Sequence, residues 1–68
     1  MNDEALNLSI RQFLKMVGVN SQREIEKAVS SAFAANALCG SEKLPATMTL
    51  RIADLDLELK FDGEIRLS

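Results

Sequence analysis

The apolar residues of this chain change period once, and that change limits what each half can become. In the first part they fall at Leu6, Ile10, Phe13, Leu14 and Val17, that is i, i+4, i+7, i+8 and i+11. This is one stripe of a helix with 3.6 residues per turn. From Met48 onward they alternate with polar residues: Met48, Leu50 and Ile52, then Leu55, Leu57, Leu59 and Phe61, then Ile65 and Leu67. A period of two belongs to one-faced strands. The order is helix first, sheet second.

The first stripe predicts a helix over about 3–17, capped by Asn2 or Asp3, with Asp3 and Glu4 at the positive end of its dipole and Lys15 at the negative end. Gly18 is placed to stop it in the left-handed conformation. Ser21-Gln22-Arg23-Glu24 has the form of a capping box, so a second helix is expected over about 22–36, with Ile25, Ala28, Val29, Ala32 and Phe33 on its apolar side. Asn36 interrupts that stripe and tolerates the left-handed conformation. It is one candidate stop, and Gly40 is the other.

Strands are expected over about 47–52, 55–61 and 64–68. A two-residue loop at Ala53-Asp54 places Ile52 opposite Leu55, Leu50 opposite Leu57 and Met48 opposite Leu59, all on one face. It also places Arg51 opposite Asp56 and Thr47 opposite Lys60. The same rule at Asp62-Gly63 turns Ile65 to the wrong face, so a three-residue loop, Asp62-Gly63-Glu64, or a bulge is expected there. The result is an α-α-β-β-β chain of the α+β class. It forms a single domain over 1–68, with a helical hairpin packed on one face of a three-stranded antiparallel sheet, most simply in order 1-2-3.

A chain of 68 residues has room for one small core. Phe13, Phe33 and Phe61 are its only aromatic residues, so that core must come from aliphatic side chains, and small cores of this kind are often completed by a partner. Cys39 stands alone, which excludes an intramolecular disulfide and fits a reducing compartment. No apolar run approaches the roughly 20 residues of a membrane span. These features together predict a cytoplasmic protein without a membrane segment.

The stretch Val17 to Ile25 invites comparison with a DNA-binding helix-turn-helix. That motif places a small residue four before the turn glycine and an apolar residue six after it; here those positions hold Leu14 and Glu24. Residues 1–34 carry no net charge and residues 35–68 carry −2, so no half has the basic balance that phosphate contacts require. Nucleic-acid binding through segment 10–29, with Arg11, Lys15, Arg23 and Lys27 as contacts, is therefore the second reading.

Asp54, Asp56 and Glu58 recur every second residue, but along a strand their side chains diverge, and they are expected to form a solvated face and no metal site. The chain has no His, no glycine-rich phosphate loop and no clustered ligands, so neither an enzyme nor a cofactor is expected. Leu8 lies opposite the first apolar stripe, beside Arg11, Gln12 and Lys15, and Met16 flanks that stripe. Leu8, Arg11, Lys15 and Met16 form the candidate interaction surface, for a second copy or an unidentified protein partner.

The segments "SIRQFLKMVGVNSQREIEKAV" and "LPATMTLRIADLDLELKFDGEI" resemble those of a family of short uncharacterised bacterial proteins, about 70 residues long and found as stand-alone chains. The Val17–Val29 segment is the most distinctive part. The resemblance implies a bacterial cytoplasmic setting and brings no activity, ligand or site residue with it. The functional expectation is an interaction or accessory module without catalysis.

Overall fold

The computed structural model describes residues 1–68. Its elements are one helix, α1 (Asp3–Ala34), then β1 (Lys43–Ile52), a 3-10 turn (Ala53–Leu55) and β2 (Leu57–Arg66). The α-α-β-β-β expectation is therefore corrected: one long helix replaces the helical hairpin, and a two-stranded antiparallel sheet replaces three strands. The chain divides into two compact units, Met1–Ala37 and Leu38–Ser68.

In the first unit α1 runs for 32 residues, about 48 Å at 1.5 Å per residue. Asn2 caps it: its side-chain oxygen accepts from the Ala5 amide at 3.1 Å, and Asp3 and Glu4 occupy the first turn. Gly18 does not stop the helix and Ser21 does not begin a new one. A break there would strand four carbonyls on one side and four amides on the other, whereas a glycine inside a helix costs only about 1 kcal/mol.

The apolar pattern also favours continuity. Leu6, Ile10, Leu14, Val17, Ser21, Ile25, Ala28 and Ala32 are spaced 4-4-3-4-4-3-4, a repeat of eleven residues that passes through the Gly18–Ser21 stretch without a change of phase. The polar residues of the supposed corner make ordinary helical contacts. Asn20 Nδ2 donates to the Met16 carbonyl at 2.8 Å and Gln22 Nε2 to Glu26 Oε1 at 3.1 Å, while Glu24 faces Lys27 at 3.7 Å instead of reaching back to Ser21.

The helix ends at Asn36, which takes the left-handed conformation with φ of 60°. The Asn36 amide donates to the Phe33 carbonyl and the Ala37 amide to the Ala32 carbonyl, the two bonds of a Schellman motif. Of the two stops considered from sequence, Asn36 is the one used.

The second unit is a hairpin of ten residue pairs, from Lys43 opposite Arg66 to Ile52 opposite Leu57. β1 begins at Lys43, ahead of the expected 47, because the alternation extends back through Ala46 and Leu44. Pro45 fits within it since its missing amide can face the open side of an edge strand. The loop spans Ala53–Asp56, twice the expected length, and closes with Asp56 at φ of 50° and its amide donating to the Ala53 carbonyl.

The register is thus two residues away from the expected one: Leu50 faces Leu59 and Met48 faces Phe61. A shift of two preserves the face, so the apolar side is as expected although every partner differs. Leu55, expected opposite Ile52, lies in the turn and is 69% exposed. No second turn exists at Asp62-Gly63. Leu57, Leu59, Phe61, Gly63 and Ile65 keep one unbroken period of two, and Gly63 sits opposite Ala46 inside the ladder.

No side chain is buried in either unit. Val17, Ser21, Val29 and Ala32 in the helix, and Leu44, Ala46, Leu50, Leu57 and Ile65 in the hairpin, are half-buried.

Candidate functional site

All the candidate contact residues fall on α1. Leu8 and Lys15, spaced i and i+7, lie on the side of the helix opposite the Leu6–Ala32 stripe, and Arg11, three residues after Leu8, lies between that side and the stripe. Leu8 is 58% exposed and Met16 54%. Met16 lies about 80° around from Leu8, so it borders this surface and does not share its centre. Continuity through Gly18 adds residues the two-helix reading left elsewhere: Val19, Glu26 and Phe33 follow Leu8 and Lys15 along the same side, and Val19 and Phe33 are both exposed.

The alternative contacts are not gathered into one patch. Arg11 and Lys27 stand about 160° apart around the helix axis, with Arg23 between them and Glu26 interleaved. Lys27 is engaged with Glu24. Because segment 10–29 lies wholly inside α1, it contains no turn that could present a separate recognition helix.

The hairpin has two unlike faces. Leu44, Ala46, Met48, Leu50 and Ile52 pair with Ile65, Gly63, Phe61, Leu59 and Leu57 on the apolar one. The polar face pairs Arg51 with Glu58, Thr49 with Lys60, Thr47 with Asp62, Pro45 with Glu64 and Lys43 with Arg66. Thr47 Oγ1 donates to Asp62 Oδ1 at 2.9 Å. Asp54 lies in the turn, as the loop reading placed it, and Asp56, expected beside Glu58 on a strand face, is a turn residue as well. A hollow of about 270 Å³ at the turn is lined by Arg51, Ala53, Asp56, Leu57 and Glu58.

The connection into β1 holds the most organised polar group of the chain. The Glu42 carboxylate accepts from the amides of Cys39 at 2.7 Å, Gly40 at 2.9 Å and Ser41 at 3.1 Å. These donors, the Cys39 amide foremost, hold the Glu42 carboxyl below its ordinary value. Gly40 supplies the positive φ, 96°, that turns the amides inward. This ring of amides is a small anion nest already filled by the chain's own carboxylate, and its role is to shape the loop. Nothing in the residue pattern alone marked Glu42 for it, since the contact depends on the loop's path. Cys39 is exposed and free.

No three His, Cys, Asp or Glu side chains come together where an ion could be held, and no helix is long and apolar enough to cross a membrane. The surfaces the structure brings forward are thus the two sides of α1, the apolar face of the hairpin and the outer edges of its strands. No curated protein and no solved structure matches the chain. A family model described as a family of unknown function (DUF6494) matches residues 1–68, and the chain belongs to that family.

Proposed function

We propose that the chain is a non-catalytic association module whose apolar surfaces are completed by another protein. The observation that carries this reading is the absence of any buried side chain, although α1 bears an apolar stripe interrupted only by Ser21 and the hairpin a wholly apolar face. Burial of apolar surface is the main favourable term in folding, and a domain this small needs a staple or a partner to supply it. Cys39 offers no disulfide, which leaves association.

A cytoplasmic setting accompanies this reading, supported by the single free cysteine and the lack of a membrane-crossing helix. Leu8 and Lys15 on the opposite side of α1, with Arg11 and Met16 at its borders, are then available to contact a partner after the stripe is covered.

The test is solution mass by light scattering, combined with affinity capture. A mass above that of one chain, or a protein retained in stoichiometric amount, is expected, and Leu8→Asp should weaken the capture. A strictly monomeric chain that retains nothing overturns the reading. Titration with mixed-sequence DNA and RNA at low salt checks the nucleic-acid alternative, where phosphate contacts would be strongest.

A further inference from the structure

The outer edge of β2 is complementary to itself, and we propose that two copies of this chain pair along it, antiparallel about Asp62, to make a four-stranded sheet in the order β1-β2-β2-β1. The inference rests on the association reading above and names its partner as a second copy.

Residues 57–67 read Leu-Glu-Leu-Lys-Phe-Asp-Gly-Glu-Ile-Arg-Leu. Laid antiparallel on itself with Asp62 at the two-fold axis, Lys60 meets Glu64 of the other copy and Glu58 meets Arg66, and each pair occurs twice. On the apolar face Leu59 meets Ile65, Leu57 meets Leu67, and Phe61 meets Gly63. Opposite charges and aliphatic pairs directly across an antiparallel ladder are the favourable combinations. An added Cβ at Gly63 would meet nothing within 4 Å, so there is open space above it, and an aromatic ring placed across a strand glycine covers such a gap.

The neighbouring registers are worse. A shift of two residues one way brings Glu58 against Glu64; the other way it sets Asp62 against Glu64 and Lys60 against Arg66. Shifts of one residue are excluded because they would set the apolar face of one copy beside the polar face of the other.

Within the hairpin Glu58 lies opposite Arg51, and the other three charges have no opposite charge across the ladder. Lys60 lies opposite Thr49 and Glu64 opposite Pro45, while Arg66 faces Lys43, a like charge that an acidic group on its other side would relieve. None of the four makes an ion pair within the chain. The Thr47 hydroxyl holds one oxygen of Asp62 toward β1 and away from the axis, which eases the single like-charge contact at the centre.

The choice of β2 over β1 follows from Pro45. It cannot donate to β2, so its nitrogen faces outward and the outer edge of β1 lacks a donor there. By the alternation of an antiparallel ladder, the partners of Pro45 and its odd-numbered neighbours then turn their own backbone groups outward. These are Glu58, Lys60, Asp62, Glu64 and Arg66, the residues that the two-fold register pairs with one another. Pairing therefore fills the open edge of β2 with a regular set of bonds.

Charge reversal tests the register. Lys60→Glu sets two acidic residues against each other twice, and Glu64→Lys does the same with two basic ones. Either change alone should weaken dimerisation at least about tenfold by light scattering. The double variant, and an equimolar mixture of the two single variants, should regain the wild-type mass of twice 7.5 kDa. Amides of Lys60, Asp62 and Glu64 in the wild-type chain should exchange more slowly as its concentration rises. Circular dichroism of each variant separates loss of pairing from loss of fold. A wild-type dimer indifferent to both reversals, or a monomer that captures a different protein, overturns β2 pairing and leaves the association reading standing. A monomer that captures nothing overturns both.

Discussion

Thr47 Oγ1 and Asp62 Oδ1 lie 2.9 Å apart across the hairpin, the one side-chain to side-chain hydrogen bond between its strands. The contact marks the register, because only a four-residue loop brings Thr47 opposite Asp62; the two-residue loop would have brought it opposite Lys60. Thr47→Val keeps the β-branched shape and the strand preference while removing the donor. It should lower the stability of the hairpin by about 0.5–1 kcal/mol, read from the denaturant midpoint. An unchanged midpoint would mean that the bond contributes nothing at this exposed site.

Glu42 makes the connecting loop sensitive to acid. The amides of Cys39, Gly40 and Ser41 favour its charged form, so its folded-state value lies below the unfolded one. The stabilisation it provides is complete above the unfolded value and is lost as pH falls through the folded value. Amide signals of Cys39 and Gly40 followed by NMR should titrate together in that acidic window. In Glu42→Gln the titration should vanish, because the amide side chain takes up no proton there.

Asn36 is held with φ at 60°, a conformation that costs a residue with an ordinary Cβ roughly 1–2 kcal/mol. Asn36→Gly should leave the melting temperature of the chain close to wild type or raise it. Asn36→Ala should lower it, and the difference between the two variants isolates the backbone term from the loss of the side chain.

Much of the pattern was legible in the residues. The single change of period, a helix cap at Asn2 or Asp3 and the apolar face of the hairpin all follow from local spacing, and the face is kept at the observed register because a shift of two preserves parity. What misled was punctuation. Gly18 and the Ser21–Glu24 box have the form of a stop and a start, but each is a weak local preference, worth about 1 kcal/mol, set against a continuous eleven-residue repeat and a run of main-chain hydrogen bonds. Asp62-Gly63 failed for the same reason: the dipeptide suggests a turn, while the unbroken alternation around it already argued against one. The surface of α1 around Leu8 was visible as an anomaly on the helical wheel, but its extension through Val19 and Phe33 required knowing that the helix does not bend at Gly18.

Gly18 therefore supplies the most direct check on the architecture, because the two readings give opposite signs. In a continuous helix Gly18 is an interior residue without a positive φ, and an added Cβ there meets nothing within 4 Å. Gly18→Ala should then raise helicity and stability by about 0.5–1 kcal/mol, since alanine restricts the unfolded chain and favours the helix. Were Gly18 the left-handed stop between two helices, the same substitution would cost roughly 1–2 kcal/mol. Far-UV circular dichroism through a thermal transition reads the sign directly. A fall in melting temperature with Gly18→Ala would restore the corner between two helices and with it the helix-turn-helix geometry of segment 10–29, whereas a rise fixes α1 as one rod whose sides are continuous surfaces.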